Sequence, residues 1–269
     1  AYVYQFIILS KSKIVITTGD NNLNFYRLKK YLNKIKFISI QNGARHKIND
    51  IFGEEALNTF NLDYKKCVDI VFTFNSSISE YYKKYFNCKT VAIGKFTNNN
   101  FKAINKNVYK NKLLYISQYR RNHLKKNFFI SHNKKICTIR KWTEAERKLL
   151  PILAKFCKKN NFELTVLGAA KQEEDENFEK KYYNLYLNNS PWKYWNKKID
   201  IFKRYEFASK FEFIVNSWST LGLELFARNA KVAFFRQKNI KPYNDRTFGW
   251  PYSMPSKGFW YSDQIDYLE

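Results

Sequence analysis

A cluster of small hydroxyl residues opens an apolar helical pattern in the stretch NSWSTLGLELFARNAKVAFF. Ser217, Ser219 and Thr220 stand where the helix would begin, Gly222 follows them, and Glu224 lies one turn further on. The first N–H groups of a helix attract anions, so these residues could bind a phosphate while Glu224 accepts hydrogen bonds from a ribose. A helix cap with an acid near the positive end of the helix dipole is the open alternative.

A second polar group follows the strand pattern KIVITT. Asp20 has the chemistry of a general base for an acceptor hydroxyl, and Asn21 and Asn22 add hydrogen-bonding groups beside it. Asp and Asn are also common N-caps, so capping of the following helix accounts for these residues equally well.

A third polar group ends the strand pattern KFISI. Gly43 allows a tight turn, and Gln41 and Asn42 precede it as hydrogen-bonding groups. The guanidinium of Arg45 matches a carboxylate or a phosphate. His46 beside it could carry a proton, although a surface histidine is the simpler interpretation.

A fourth polar group, Ser117, Gln118 and Arg120, follows the strand pattern KLLYI and could contact a diphosphate or a sugar. The Walker, GxGxxG, HExxH and GxSxG patterns do not occur in the sequence. Their absence argues against P-loop kinases, dinucleotide oxidoreductases and serine hydrolases.

Short β-branched or aromatic runs alternate with helical patterns along the chain, which predicts βαβ units with parallel sheets. An Asn- and Lys-rich stretch, residues 95–112, interrupts the alternation and predicts a linker. We therefore expect an α/β protein with two Rossmann-like domains, 1–100 and 109–269, facing each other across a cleft. The chain starts without Met almost at a strand, so we expect the N-terminal domain to be incomplete.

The sequence also predicts where two helices begin. Ser76 or Ser77 is predicted to cap the helix SSISEYYKKYF. Thr143 followed by Glu146 predicts a capping box at the start of TEAERKLLPILAKF.

The composition provides ample apolar material for a core and a large positive charge, with 45% hydrophobic residues and a formal net charge of +25. This charge suits nucleic acid, an anionic membrane or a phosphate-rich substrate. An AT-rich genome would produce the same excess of scattered lysines. No apolar run approaches the roughly 20 residues of a membrane span, and the four cysteines show no metal-binding spacing, which predicts reduced thiols and no metal.

Five of these stretches occur in a recognisable order: TTGDNNLNFYRL, KFISIQNGAR, VDIVFTFNSSISEYYKKYF, YISQYR and NSWSTLGLELFARNAKVAFF. Together they resemble the bacterial surface-carbohydrate biosynthesis transferases of lipopolysaccharide and capsule gene clusters. The resemblance implies a GT-B-like glycosyltransferase with no metal and no cofactor. It implies a nucleotide site in the C-terminal domain at Ser219, Thr220 and Glu224, and it places the acceptor at the N-terminal domain.

The acceptor-side residues that the resemblance implies are Asp20, Asn21, Asn22, Gln41, Asn42 and Arg45. The expected partners are a CMP-, UDP-, GDP- or dTDP-sugar donor and a glycan or lipid-linked acceptor, with Asp20 as the base and an inverted product. We expect a cytoplasmic protein that contacts an anionic inner membrane peripherally. A nucleotide-sugar epimerase or polyol-phosphate transferase of the same architecture is an alternative, and a non-catalytic nucleic-acid binder is a second.

Overall fold

The computed structural model describes residues 2–43, 45, 67–95, 108–119, 123–124, 129–132, 135–187, 190–196, 201–217, 219–235 and 260–262. The chain divides into two compact units, Ala1–Lys102 and Ala103–Glu269. Both are built on parallel β-sheets with helical connections, so the predicted α/β class is confirmed.

The N-terminal unit contains a four-stranded parallel sheet in chain order, β1-β2-β3-β4. Its elements are α1 (Tyr2–Leu9), β1 (Ile14–Thr17), α2 (Leu23–Tyr31), β2 (Lys36–Ile40), β3 (Ile70–Thr73), α3 (Ser76–Tyr85) and β4 (Lys89–Ala92). The core forms where aromatic side chains of α2 and α3 meet the sheet, with Tyr26, Phe37 and Tyr82 fully buried. The unit is therefore held by large rings packed over short strands.

Two details of this unit differ from the sequence-based predictions. Asn75, rather than Ser76 or Ser77, caps α3, because its Oδ1 accepts from the N–H of Ile78 at 2.9 Å. The helix α1 was not predicted at all, since its run YVYQFIIL shows no helical periodicity of polar residues.

The C-terminal unit contains a six-stranded parallel sheet. Its elements are β5 (Tyr109–Ile116), β6 (Phe129–His132), β7 (Lys135–Thr138), α4 (Ile139–Trp142), α5 (Glu144–Lys159), β8 (Glu163–Leu167), α6 (Glu173–Leu187), β9 (Trp192–Trp195), α7 (Ile201–Ala208), β10 (Phe211–Asn216), α8 (Thr220–Phe226), β11 (Val232–Phe235) and β12 (Trp260–Ser262). Strands β6 and β7 form a separate antiparallel hairpin.

The six-stranded sheet has the order β12-β11-β10-β5-β8-β9. Its six strands in chain order thus lie 6-5-4-1-2-3, which is the order of a doubly wound Rossmann sheet. Alternate residues of β5 face opposite sides: Leu113 packs with α5 and α6, while Leu114 packs with α7 and α8. Helices therefore cover both faces of the sheet. Because each strand is buried on both sides, its sequence is a nearly continuous apolar run.

Two further predictions differ from the structure in part or in full. The division between the units, after Lys102, falls within the predicted linker 95–112, but the end of that stretch belongs to β5, which begins at Tyr109; residues 96–107 lie outside the described part of the chain. The capping box does not form, because Thr143 makes no capping hydrogen bond with its side chain and Glu146 turns into the core. Three tyrosine hydroxyls there provide it with stronger partners than a helix end would.

Candidate functional site

The crevice of the C-terminal unit lies where the strand order reverses, between β5 and β10. From β5 the chain winds outward through β8 and β9, and it then returns to β10 on the other side. In such sheets ligands bind outside the carboxyl ends of the two strands at the reversal. Ser117 follows β5 and Ser217 follows β10, so both predicted nucleotide-binding segments flank this point.

The connection from β10 to α8 is shaped by Asn216, which is fully buried. Its Oδ1 accepts from the N–H of Ser219 at 3.1 Å, and its Nδ2 donates to the carbonyl of Ser219 at 3.1 Å. Ser219 in turn caps α8 by accepting from the N–H of Leu221 at 3.3 Å. The predicted helix start at Ser219 or Thr220 is therefore correct.

Gly222 is required by contact with this asparagine. A Cβ at residue 222 would lie 2.3 Å from Cγ and 2.4 Å from Nδ2 of Asn216. We expect Gly222→Ala to lower the free energy of unfolding by about 1–3 kcal/mol, the range for overpacking a tight site. Urea unfolding followed by far-UV circular dichroism, which reports both units, measures this. Gly19→Ala is the control, because its Cβ would meet Thr17 Oγ1 at an ordinary 3.5 Å; an equal loss in both variants would contradict the explanation.

The predicted nucleotide-binding residues divide into two groups by exposure. Gln118, Ser219 and Thr220 are partly exposed and can reach a ligand. The others are buried: Ser117, Ser217, Gly222 and Glu224, the last 5% exposed. Arg120 lies outside the described residues. Direct contact with a nucleotide is thus open to the first group in this structure, whereas the second group shapes the edge from beneath.

Glu179 of α6, which was not among the predicted site residues, is a buried carboxylate that connects the strand ends at the carboxyl edge of the sheet. It is 0% exposed and accepts from the backbone N–H groups of Ala169 and Ala170, each at 2.9 Å, just after β8. Its Oε1 also accepts from the hydroxyl of Ser117, and its Oε2 from that of Tyr194 at 2.7 Å. Glu179 therefore fixes the loop after β8 relative to the end of β5.

Gly168 and Arg204 complete this arrangement. A Cβ on Gly168 would overlap the Tyr194 hydroxyl at 2.1 Å, so glycine is what lets that hydroxyl reach Glu179. Arg204 donates to the carbonyl of Gly168 at 2.7 Å and to Asn196 Oδ1 at 3.2 Å. Burial lowers the pKa of Arg204, while the charge of Glu179 nearby opposes that shift.

A second buried carboxylate, Glu146 of α5, extends the network. It accepts from the hydroxyls of Tyr115 at 2.7 Å, Tyr183 at 3.0 Å and Tyr182 at 3.0 Å. Burial raises the pKa of Glu146 above its ordinary value, although the three hydroxyls favour its charged form. The hydroxyl of Tyr183 also lies 2.8 Å from Ser117 Oγ, so its single proton is shared between Ser117 and Glu146, and the two carboxylates belong to one hydrogen-bonded system beneath the crevice.

In the N-terminal unit Asp20 is the centre of a buried cluster and is 0% exposed. Arg45 binds it with a forked pair of hydrogen bonds, of which Nε to Oδ2 measures 2.6 Å. Tyr82 donates to Oδ2 at 2.6 Å, and the N–H of Asn42 donates to Oδ1 at 3.1 Å. The carboxylate thus joins the ends of β1 and β2 to α3.

The tyrosines around Asp20 are held as proton donors. Burial raises the pKa of Tyr82, and the neighbouring Tyr26 and Asp20 add to the rise. Burial likewise raises the pKa of Tyr26, whose hydroxyl donates to the backbone carbonyl of Asp20. Both rings stay neutral near pH 7 and can only donate to this acid.

The remaining residues predicted for the acceptor side have distinct positions. Asn21, Asn22 and Asn42 are exposed, and Asn22 caps α2 by accepting from the N–H of Asn24 at 3.1 Å. Gln41 is buried and bridges two turns, accepting from the N–H of Phe74 and donating to the carbonyl of Gly43, both at 2.8 Å. The structure therefore brings Asp20, Asn42 and Arg45 together. His46 lies outside the described residues.

The described residues contain no group of three or more His, Cys, Asp or Glu side chains that could hold a metal ion. No helix in the described part of the chain has both the length and the apolar character to cross a membrane. Cys67, Cys88 and Cys157 are free thiols.

Two Rossmann-like units in one chain, with a switch-point crevice in the second, define a protein of GT-B-like fold. Two solved structures have a similar fold. The structure of the Glycosylation Associate Protein (Gap123) complex from Streptococcus agalactiae matches with a TM-score of 0.51 and 13% identity, over 98% of this chain and 49% of that chain. The UDP-GlcNAc 2-epimerase from Methanocaldococcus jannaschii matches with a TM-score of 0.53 and 12% identity, over 99% of this chain and 71% of that one.

The family model described as "putative O-antigen biosynthesis protein" matches residues 38–269, and the chain belongs to this family. This confirms the predicted relation to surface-carbohydrate biosynthesis, and the structural matches confirm the GT-B-like fold. No curated protein matches the sequence. The chain spans about half the length of the first solved structure that it resembles.

Proposed function

We propose that the protein is a glycosyltransferase that moves a sugar from a nucleotide-sugar donor to a growing surface polysaccharide or lipopolysaccharide. The observation that carries the proposal is the position of Ser117–Gln118 and Ser219–Thr220 on either side of the β5–β10 switch point. Membership of an O-antigen biosynthesis family supplies the biological context. The nucleotide of the donor, whether CMP, UDP, GDP or dTDP, is left to experiment.

The donor site follows from the exposed groups at the crevice. The partly exposed hydroxyls of Ser219 and Thr220 donate to phosphate oxygens, and the amide of Gln118 binds from the opposite side. Charge that develops on the leaving nucleotide is stabilised by such fixed donors. The role of Glu224 as an acceptor for the ribose hydroxyls, as in dinucleotide folds, stays a prediction, because its buried carboxylate would have to become accessible before it could touch the ribose.

The acceptor is proposed to bind the N-terminal unit, where Asn21, Asn22 and Asn42 are exposed. In the reaction, the acceptor hydroxyl forms a bond to the anomeric carbon while the bond to the nucleotide phosphate breaks, with inversion and without a metal. The base that takes the hydroxyl proton stays a prediction at Asp20. Its oxygens would have to leave Arg45 or Tyr82 to reach an acceptor, so in this structure Asp20 holds the loop of Asn42 in place.

A nucleotide-sugar epimerase is the second candidate, favoured by the match to the M. jannaschii enzyme over nearly the whole chain. A polyol-phosphate transferase would use the same donor geometry. We further propose that the protein works in the cytoplasm and meets its lipid-linked acceptor at an anionic membrane, where its net charge of +25 favours binding.

A thermal-shift screen with CMP, UDP, GDP and dTDP tests the nucleotide site. A nucleotide present at about 100 times its Kd stabilises the folded protein by about 2.7 kcal/mol, so one of the four should raise Tm by several degrees. Ser219→Ala and Glu224→Gln should reduce this increment. Asn75→Ala is the matched control, because it removes the N-cap of α3 in the other unit and should leave the increment unchanged.

The outcomes separate the candidates. A full nucleotide increment in both Ser219→Ala and Glu224→Gln would refute the assigned site. If no nucleotide shifts Tm while an oligonucleotide binds tightly at physiological salt, the protein is a nucleic-acid binder. Incubation with the matching nucleotide sugar then distinguishes the enzymes, because an epimerase releases an isomeric nucleotide sugar without any acceptor.

A further inference from the structure

A pocket of about 290 Å³ opens between the start of α5 and the second half of α6, and we call it the arginine pocket. Its lining includes Arg140, Arg147, Thr143, Ile139, Tyr182 and Tyr186. A second hollow beside it shares both arginines and Tyr186 and adds Thr138, Glu144 and Lys148. His123 and Leu124, from the loop that follows β5, also line the arginine pocket, whereas the proposed nucleotide-binding residues Gln118, Ser219 and Thr220 do not.

The two arginines have no acidic partner among the described residues. Arg147 donates through Nη2 to the backbone carbonyl of Arg140, whose own side chain is exposed. The Nε of Arg147 is buried and meets no acceptor within the described part of the chain. The nearby acid Glu144 is paired with Lys148 at 2.8 Å.

A buried guanidinium N–H without an acceptor is unfavourable, and a bound anion would supply the missing acceptor to the Nε of Arg147. An arginine side chain presents a planar fork of N–H donors that fits a phosphate or a carboxylate. The buried Nε of Arg147 is such a donor, whereas the hydroxyl of Thr143 already donates to the carbonyl of Ile139 at 2.9 Å. The polar side of the arginine pocket is therefore complementary to an oxyanion.

The remaining wall is apolar and aromatic. The rings of Tyr182 and Tyr186 have centroids 5.2 Å apart, and Ile139 lies across from them in the lining. A volume of about 290 Å³ is at the lower end of the range for small-molecule sites, roughly 300–1,000 Å³. It accommodates a single ring rather than a complete nucleotide sugar.

We propose that the arginine pocket is a second binding site, for a monosaccharide-sized molecule that carries an oxyanion. The charged group lies between Arg140 and Arg147, and the ring packs on Tyr182 and Tyr186. An acidic sugar unit of a glycan and a sugar phosphate both have this chemistry. This proposal does not depend on the proposed transfer reaction, because binding at the arginine pocket involves neither the nucleotide nor the β5–β10 crevice.

Isothermal titration of the full chain with glucose 1-phosphate, glucuronic acid, glucose and inorganic phosphate tests the proposal. We expect at least one of the two charged sugars to bind and glucose not to bind; the tighter of the two identifies phosphate or carboxylate as the preferred group. Arg147→Gln and Arg140→Gln should each raise the Kd about tenfold or more, the effect of losing one charge-assisted hydrogen bond. Arg147→Lys should also weaken binding, since it keeps the charge but loses the fork.

Lys155→Gln is the matched control, because it removes one positive charge from an exposed position of the same helix and should leave the Kd unchanged. Equal affinity of the wild type and both arginine variants would overturn the site. Glucose binding as tightly as the charged sugars, or inorganic phosphate binding as tightly as glucose 1-phosphate, would overturn the assigned ligand. Nucleotide-induced Tm increments should persist in Arg147→Gln, which separates this test from that of the crevice.

Discussion

Asp20→Ala is expected to lower the stability of the N-terminal unit by about 3–5 kcal/mol, the range for removing one partner of a buried ion pair. The Arg45 side chain is only 6% exposed, so its charge would remain buried without the carboxylate. The hydroxyl of Tyr82, fully buried, would lose its acceptor as well. The loop that carries Asn42 would lose its anchor in the same step.

The sequence provides a way to assign this loss to one unit. All six tryptophans lie after residue 103, so tryptophan fluorescence reports the C-terminal unit while far-UV circular dichroism reports both. In urea, Asp20→Ala should shift the circular-dichroism transition to lower concentration and shift the fluorescence transition much less. Glu80→Ala is the control, because its pair with Lys83 is exposed and contributes at most about 0.5 kcal/mol. A loss in Asp20→Ala no larger than in this control would refute the anchoring role.

Glu179→Ala is expected to have the second large effect, in the C-terminal unit. The backbone N–H groups of Ala169 and Ala170 would lose their acceptor, and so would the hydroxyls of Ser117 and Tyr194. A buried donor left without an acceptor costs about 1–3 kcal/mol, so the total loss should reach about 3 kcal/mol or more. Glu179→Gln keeps the shape and one acceptor oxygen, and it should fall between the wild type and Glu179→Ala.

Tryptophan fluorescence in urea measures this change directly, because Trp192 and Trp195 lie on β9 beside Tyr194. Glu173→Ala on the same helix is the matched control: Glu173 is exposed in the first turn, where a carboxylate contributes at most about 1 kcal/mol through the helix dipole. We also expect Glu179→Gln to bind the nucleotide more weakly, since Ser117 and the loop after β8 lose their fixed geometry. Unchanged stability and unchanged nucleotide binding in Glu179→Gln would show that Glu179 does not organise the edge.

The class of fold was predictable from the sequence, and so was the position along the chain of the segments that flank the β5–β10 switch point. Apolar runs such as FEFIVN are buried on both faces, and this pattern already specifies a parallel sheet with helices on either side. Polar residues directly after such runs must lie at the carboxyl edge of the sheet, so the segments at Ser117 and Ser219 could be chosen without coordinates. The start of α8 was predictable for the same local reason, because Ser219 is a favourable N-cap.

Which of these polar residues are exposed at the edge and which are buried in the scaffold became visible only in the folded structure. Glu179 lies in the charged run EEDENFEKKYY, where nothing local distinguishes it from the solvated acids around it. Its role arises from β5, β8 and β9 coming together over α6, and those contacts span up to 62 residues of sequence. The role of Asp20 also depends on a residue distant in sequence, since its partner Tyr82 is 62 residues away. A carboxylate takes a structural role when donors from distant parts of the chain surround it and exclude water. The spacing of residues along the sequence does not show which donors will do so.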